Sequence, residues 1–184
     1  RNRNIMYYLT VYNEPIVQPA EPEDVDVEGI LKGLHKISDA PAGDGPEVQL
    51  LASGVGVPWI VEAQRILAED WGVRASVWSV TSWGELRREA LAVEKDNFLH
   101  PTADQRVPYV TGKLAHATGP LIATSDFDHA VPDLIRPWVP GDYHVLGADG
   151  FGFSDTRAAA RRHYLIDADS VVVKALQALA QQGK

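Results

Sequence analysis

A three-layer α/β sandwich built around a mostly parallel sheet is the fold this sequence predicts, on three observations. From residue 28 onward, short β-branched and aliphatic runs alternate with stretches whose apolar residues recur at helical spacing. The runs beginning near Val48, Val73, Leu121 and Tyr143 are separated by more than the roughly dozen residues that a crossover between parallel strands requires. Finally, 45% hydrophobic and 23% charged residues in a chain of 184 match one globular domain with a buried core, not a disordered or fibrous chain.

The elements follow in order. The run Ile5-Met6-Tyr7-Tyr8-Leu9-Thr10-Val11-Tyr12 is apolar, β-branched and aromatic, and predicts a buried strand. Arg1 stands so close before this strand that the chain reads as a fragment of something longer. Between Glu14 and Glu28 lie six acids, three prolines and no base, which makes an extended acidic connector because proline fixes its own φ and keeps its predecessor out of the helical region. Residues 33–38 read as a short strand ended by the turn 39–46, and residues 48–53 as a second strand. Pro58 stands in the first turn of a helix, where a missing N–H costs nothing, and Ile60, Ala63, Leu67 and Trp71 then mark its buried face. Gly72 closes that helix, and residues 73–80 form the next strand. Ser82-Trp83-Gly84-Glu85 has the form of a capping box, followed by Leu86, Ala90 and Val93 on one helical face. Strands are predicted at 121–124 and 143–146, and helices near 107–116, 130–138 and 156–164. Asp167 caps a last helix carrying Val172, Ala175, Leu176 and Leu179, with Gly183 at its end.

Charge and composition narrow the function. Seventeen basic against 25 acidic side chains leave a net charge of −8, a surface that repels nucleic acid and anionic membranes. With no cysteine, disulfides, thiolate catalysis and cysteine-ligated zinc or iron–sulfur sites are excluded. No apolar run approaches the roughly 18 residues of a membrane span, and Arg1 and Arg3 are not followed by a signal peptide's apolar stretch and cleavage site.

Few residues group into recognisable chemistry. Ser53-Gly54-Val55-Gly56 lies where a dinucleotide fingerprint would, between a strand and a helix, but Trp59 replaces the third glycine and no acid closes the next strand, so it reads as a tight turn. Asp126 and Asp128 resemble the paired aspartates of haloacid-type phosphatases, yet Ala130 stands where that chemistry wants Thr or Val; a capping turn is the plainer reading. The six histidines are scattered singly, which supports no helical metal site; His100 lies in a loop. Asp149-Gly150-Phe151-Gly152-Phe153-Ser154-Asp155 carries the most weight, because it follows the strand 143–146 at the end where open α/β sheets bind ligands. Its functional reading is an anion or partner contact at an active-site mouth; the structural alternative is a glycine-shaped turn whose acids cap a helix and pair with Arg157, Arg161 and Arg162. The candidate site residues are therefore His100, Asp149, Gly150, Phe151, Gly152, Ser154 and Asp155.

Several separate blocks resemble one family: MYYLTVYNEPIVQPAEPED, EGILKGLHKI, VQLLASG, VWSVTSWGELRREA, NFLHP, RVPYV, ATSDF and VLGADGFGFSDTR, in that order. Together they resemble the carboxyl-terminal part of the homodimeric bacterial pyruvate dehydrogenases, from about residue 5 to residue 182. The resemblance implies that residues 1–13 are the last strand of a preceding pyrimidine-binding domain, 14–27 a linker, and 28–184 a transketolase-type carboxyl-terminal domain. It further implies a mixed five-stranded sheet whose first strand, near 33–38, is antiparallel. For the whole enzyme it implies decarboxylation of pyruvate with thiamine diphosphate and Mg²⁺, transfer of the acetyl unit to a lipoyl group, a homodimer, a dihydrolipoyl acetyltransferase core as partner, and a bacterial cytoplasmic location. No catalytic or cofactor-binding residue carries over, since Gly43-Asp44-Gly45 has no Asn-Asn after it and the activating glutamate belongs upstream of Arg1. Members of the resembled family often have a polar or basic residue where Phe153 stands, a departure that weakens an anion-binding role for that loop. The alternatives are a free-standing acidic α/β module that binds a protein partner and a small phosphatase using Asp126 and Asp128.

Overall fold

Strand β2 (Glu47–Ala52) is buried on both faces, and the molecule is organised about it. A computed structural model describes residues 4, 6–9, 11–17 and 20–184. In it β2 pairs in parallel with β3 (Arg74–Ser79) on one side and β4 (Leu121–Thr124) on the other. Strand β5 (Tyr143–Leu146) continues in parallel beyond β4, while β1 (His35–Ser38) pairs antiparallel with β3. The five-stranded sheet has the order β1-β3-β2-β4-β5, so the mixed sheet with its antiparallel first strand is as expected.

Period-two alternation distributes β2 between two cores. Val48, Leu50 and Ala52 face α2 (Val57–Trp71) and α7 (Ala168–Gln181), where Ile60, Ala63, Leu67, Val172, Ala175 and Leu179 close one layer. Leu51 faces the opposite layer, formed by Trp83 and Leu86 of α3 (Trp83–Leu99), Val110 of α4 (Tyr109–Lys113) and Ile135. Helices thus cover both faces, giving the three layers that a largely parallel sheet needs. Trp71, the last residue of α2, falls outside its layer and is 59% exposed.

Several elements depart from their expected form. Among residues 5–12 the described ones, 6–9 and 11–12, form no strand, and Met6, Tyr8 and Val11 are exposed. Ile5 and Thr10 lie outside the described residues. A strand needs a neighbour to take its hydrogen bonds, and the sheet ends at β1 and β5 without pairing to this segment. The acidic connector gives way to a helix that its prolines conceal: α1 (Val27–Lys32) starts at Asp26, whose carboxylate accepts the Gly29 amide and pairs with Lys113 at 2.6 Å. The helix expected over 130–138 splits into α5 (Ala130–Asp133) and a 3₁₀ turn (Arg136–Trp138), because Pro137 offers no N–H to carry an α-helix through. The capping box is half formed: Ser82 accepts the Glu85 amide, while the Glu85 carboxylate turns to Arg88.

Candidate functional site at the carboxyl edge of the sheet

The chain leaves β2 toward β3 and leaves β4 toward β5, in opposite directions along the sheet. The carboxyl ends of β2 and β4 therefore flank the point where connections diverge, which is where open α/β sheets form a ligand crevice. Ser53 and Gly54 line it from the β2 side, and Thr124, Ser125 and Asp126 from the β4 side. The crevice floor is polar: Ser53 Oγ, Thr124 Oγ1 and Asp126 Oδ1 are buried without a protein hydrogen-bond partner among the described residues.

Tyr12 reaches into this crevice. Its hydroxyl donates to Asp126 Oδ2 at 3.0 Å. Partial burial, then the charge of Asp126, pushes its pKa up, while the nearby Val55 amide acts in the opposite sense. The next two residues meet α6 (Arg157–His163). Arg157 donates to Asn13 Oδ1 at 2.9 Å, and Arg161, whose guanidinium lies 5.0 Å from the Trp59 ring centroid, pairs with Glu14 at 2.6 Å.

The loop after β5 is tied to the loop after β4. Gly147 passes so close that a Cβ on it would stand 2.4 Å from the His129 nitrogen. Asp149 Oδ1 accepts the His129 amide at 2.9 Å, and its other oxygen lies 2.5 Å from His129 Nδ1. His129 Nε2 lies 3.0 Å from the Val145 carbonyl oxygen. The backbone amide of His129 first, and its ring with it, hold the Asp149 carboxyl below the usual range. Gly150 takes a φ of 119°, a region that favours glycine. Phe151 is 97% exposed, and its carbonyl accepts the Tyr164 hydroxyl. Phe153 meets His163 edge-on at 4.8 Å. Gly152, Ser154 and Asp155 are exposed, and Asp155 accepts the Thr156 amide at 2.6 Å.

The structure thus holds 149–155 as one loop at the carboxyl edge but does not bring His100 to it. His100 follows the 17-residue α3, with its ring against Asp96 and its carbonyl accepting Gln105. The expected acid–arginine pairing within the loop region takes a different form. Thr156, not an acid, caps α6, and Arg157 and Arg161 are held by Asn13 and Glu14, while Arg162 pairs with Asp167 and Asp169. The phosphatase-like aspartates are engaged separately, Asp126 by Tyr12 and Asp128 by the Ala130 amide that it caps. Sequence reasoning passed over Tyr12, Asn13 and Glu14, whose partners lie 114 to 147 residues away. Nothing in the local pattern marks such distant contacts.

Comparison with known proteins agrees with this architecture. The family profile described as transketolase-like TK C-terminal domain matches residues 33–167. The pyruvate dehydrogenase E1 component of Mycolicibacterium smegmatis is 57% identical over 181 residues, 98% of this chain and 20% of that protein. The Escherichia coli protein of the same name is 43% identical over the whole chain, again 20% of the relative. The chain therefore spans about one fifth of the length of these curated relatives. Among solved structures, a split-gene transketolase superposes with a TM-score of 0.55 at 20% identity, over 89% of this chain and 46% of that one. A Pichia stipitis transketolase gives 0.56 at 18% identity, over 89% and 20%. At these identities the likeness concerns the fold. With the profile covering most of the chain and the sheet order in place, the chain belongs to the transketolase-like C-terminal domain family.

Proposed function

We propose that the chain is the carboxyl-terminal, non-catalytic domain of a homodimeric pyruvate dehydrogenase, with residues 1–13 belonging to a preceding domain, 14–27 a linker and 28–184 the domain itself. The observation that carries this reading is 57% identity over 98% of the chain to a pyruvate dehydrogenase E1 component five times as long. The whole enzyme decarboxylates pyruvate and passes the acetyl unit to a lipoyl group of an acetyltransferase core in the bacterial cytoplasm. Thiamine diphosphate with Mg²⁺ supplies the electron sink for that reaction.

The residues of this chain do not fit that cofactor. A diphosphate–Mg²⁺ site needs converging oxygen ligands. Asp44 is exposed in the turn between β1 and β2, where a Cβ on Gly45 would stand 2.0 Å from the Gly72 carbonyl oxygen. Among the described residues no three His, Asp or Glu side chains come together to hold a metal ion. The domain's part is structural: it supports the dimer and offers the 149–155 loop, with Phe151 projecting, to the active-site entrance.

Complementation tests the reading. A pyruvate dehydrogenase lacking the segment that matches this chain is assayed for acetyl transfer with and without the chain added in trans. Activity is expected when both pieces are present and from neither alone. A truncated enzyme as active as the whole, or calorimetry showing micromolar binding of thiamine diphosphate with Mg²⁺ by the chain alone, would overturn it.

A further inference from the structure

We infer that the crevice between the carboxyl ends of β2 and β4 is a docking site for the chain's own residues 12–14, which strap the segment preceding α1 onto the domain. This inference concerns contacts within the chain and stands apart from the proposed function.

Three consecutive residues each find a partner far away in sequence and on different elements: Tyr12 on the β4 loop, Asn13 and Glu14 on α6. Closing such long loops costs entropy, so contacts of this kind form where the receiving surface is shaped for them. The Tyr12 hydroxyl donates to Asp126, and the Val55 amide lies on its other side. Gly54 lies beneath the ring with a φ of 50°, and a Cβ there would stand 2.9 Å from the hydroxyl oxygen. Glycine at 54 thus meets two requirements at once, the left-handed backbone and the room for the phenol. Below, the unpartnered oxygens of Ser53, Thr124 and Asp126 form a polar floor suited to a hydroxyl and its water rather than to an aliphatic group.

Among the described residues Tyr12 is itself 49% exposed, so the docking rests on its hydroxyl and on the side chains of Asn13 and Glu14. Before them Met6–Leu9 and Val11 are exposed, and after them Val17 is 94% exposed. Arg157 and Arg161 add a local pair of cations to a chain of net charge −8, and Glu14 meets both, at 3.6 and 2.6 Å. The ligand that suits this crevice is therefore a phenol followed by a carboxylate two residues on, and the chain supplies it. With the strap in place the Tyr12 ring lies over Gly54 at the mouth of the crevice.

Two measurements on the 184-residue chain test this. In hydrogen exchange read by NMR, Tyr12→Phe keeps the ring but removes the donor to Asp126 and the hydroxyl beside the Val55 amide. Exchange at Val55 is expected to rise about tenfold while the amides of β2 and β4 keep their protection. Brief chymotrypsin digestion of the unaltered chain needs no variant. Cleavage after Tyr8 is expected to run well ahead of cleavage after Tyr12, and the double change Arg157→Gln with Arg161→Gln is expected to close that gap. Equal cleavage after Tyr8 and Tyr12 in the unaltered chain, or a Val55 amide that exchanges alike in parent and Tyr12→Phe, would overturn the inference.

Discussion

Gln49 is 1% exposed in the middle of β2, where a polar side chain is tolerated because every arm of its amide is used. Its nitrogen donates to Glu47 at 3.0 Å and to the Thr118 carbonyl at 2.9 Å, and its oxygen accepts the Trp78 indole N–H at 2.8 Å. A leucine in its place would fit the volume but strand the Trp78 donor and the Thr118 acceptor, each costing about 1–3 kcal/mol when left unpaired and buried. Gln49→Leu is therefore expected to lower stability by roughly 2–4 kcal/mol in urea unfolding. A loss below about half a kcal/mol would show that water replaces the amide. At this scale the sequence was hard to read: a lone Gln in an apolar run carries no mark of its partners, two of which lie on other segments.

Among the elements, helix ends were the most legible feature, because a cap is made within three residues of itself. Asp167 accepts the Ser170 amide at 3.0 Å and Ser82 the Glu85 amide at 3.0 Å, as their positions before apolar helical runs indicated. Asp167→Ala removes the cap of α7 and one of the two carboxylates paired with Arg162, and is expected to cost about 1 kcal/mol. Calorimetric unfolding of the two chains measures it, and an unchanged midpoint would mean that the α7 packing alone sets that helix. Where expectation failed at this scale, the cause was either a proline inside an apolar pattern, as at Pro137, or a helix that tertiary contacts complete. Helix α1 is six residues long, too short to stand alone, and it is held at its start by the Asp26–Lys113 pair between distant segments.

For the molecule as a whole, acid should unfold the chain in two stages. Burial pushes the His35 imidazole below its ordinary 6.5. A depressed histidine contributes stability above the unfolded value and loses it as pH falls through the folded one, so the first decline begins below about pH 6.5. The Asp26 carboxyl is held below 3.8 by the hydrogen bond from Lys113, and the Asp149 carboxyl by the His129 amide. Their contributions are present above that value and are lost below it. Thermal midpoints measured from pH 7 to pH 3 are expected to show both stages, and His35→Gln should abolish the upper one. An upper stage that survives the substitution would assign it to another histidine. The exposed run at Met6–Leu9 and Val11 predicts a further property, because an apolar unpaired segment invites association. Sedimentation over a concentration series should show self-association that Tyr8→Lys with Val11→Lys reduces; a parent that stays monomeric would contradict this.

The boundary between what was legible and what was not follows the range of the interactions. Period-two alternation in β2, the caps at Ser82 and Asp167, and the spacing of Ile60, Ala63 and Leu67 are local patterns, and from them the sequence alone determined an α/β sandwich with strands near 48, 73, 121 and 143. The antiparallel direction of the strand at 33–38 came from family resemblance, since a short strand of four residues carries no sign of its own direction. The order β1-β3-β2-β4-β5, and with it the crevice between β2 and β4, was decided only by the tertiary structure. The same holds for Tyr12, which by composition belonged to a strand. It became a docked side chain because Asp126, brought to it by the sheet, accepts its hydroxyl, while no strand of the sheet pairs with its backbone.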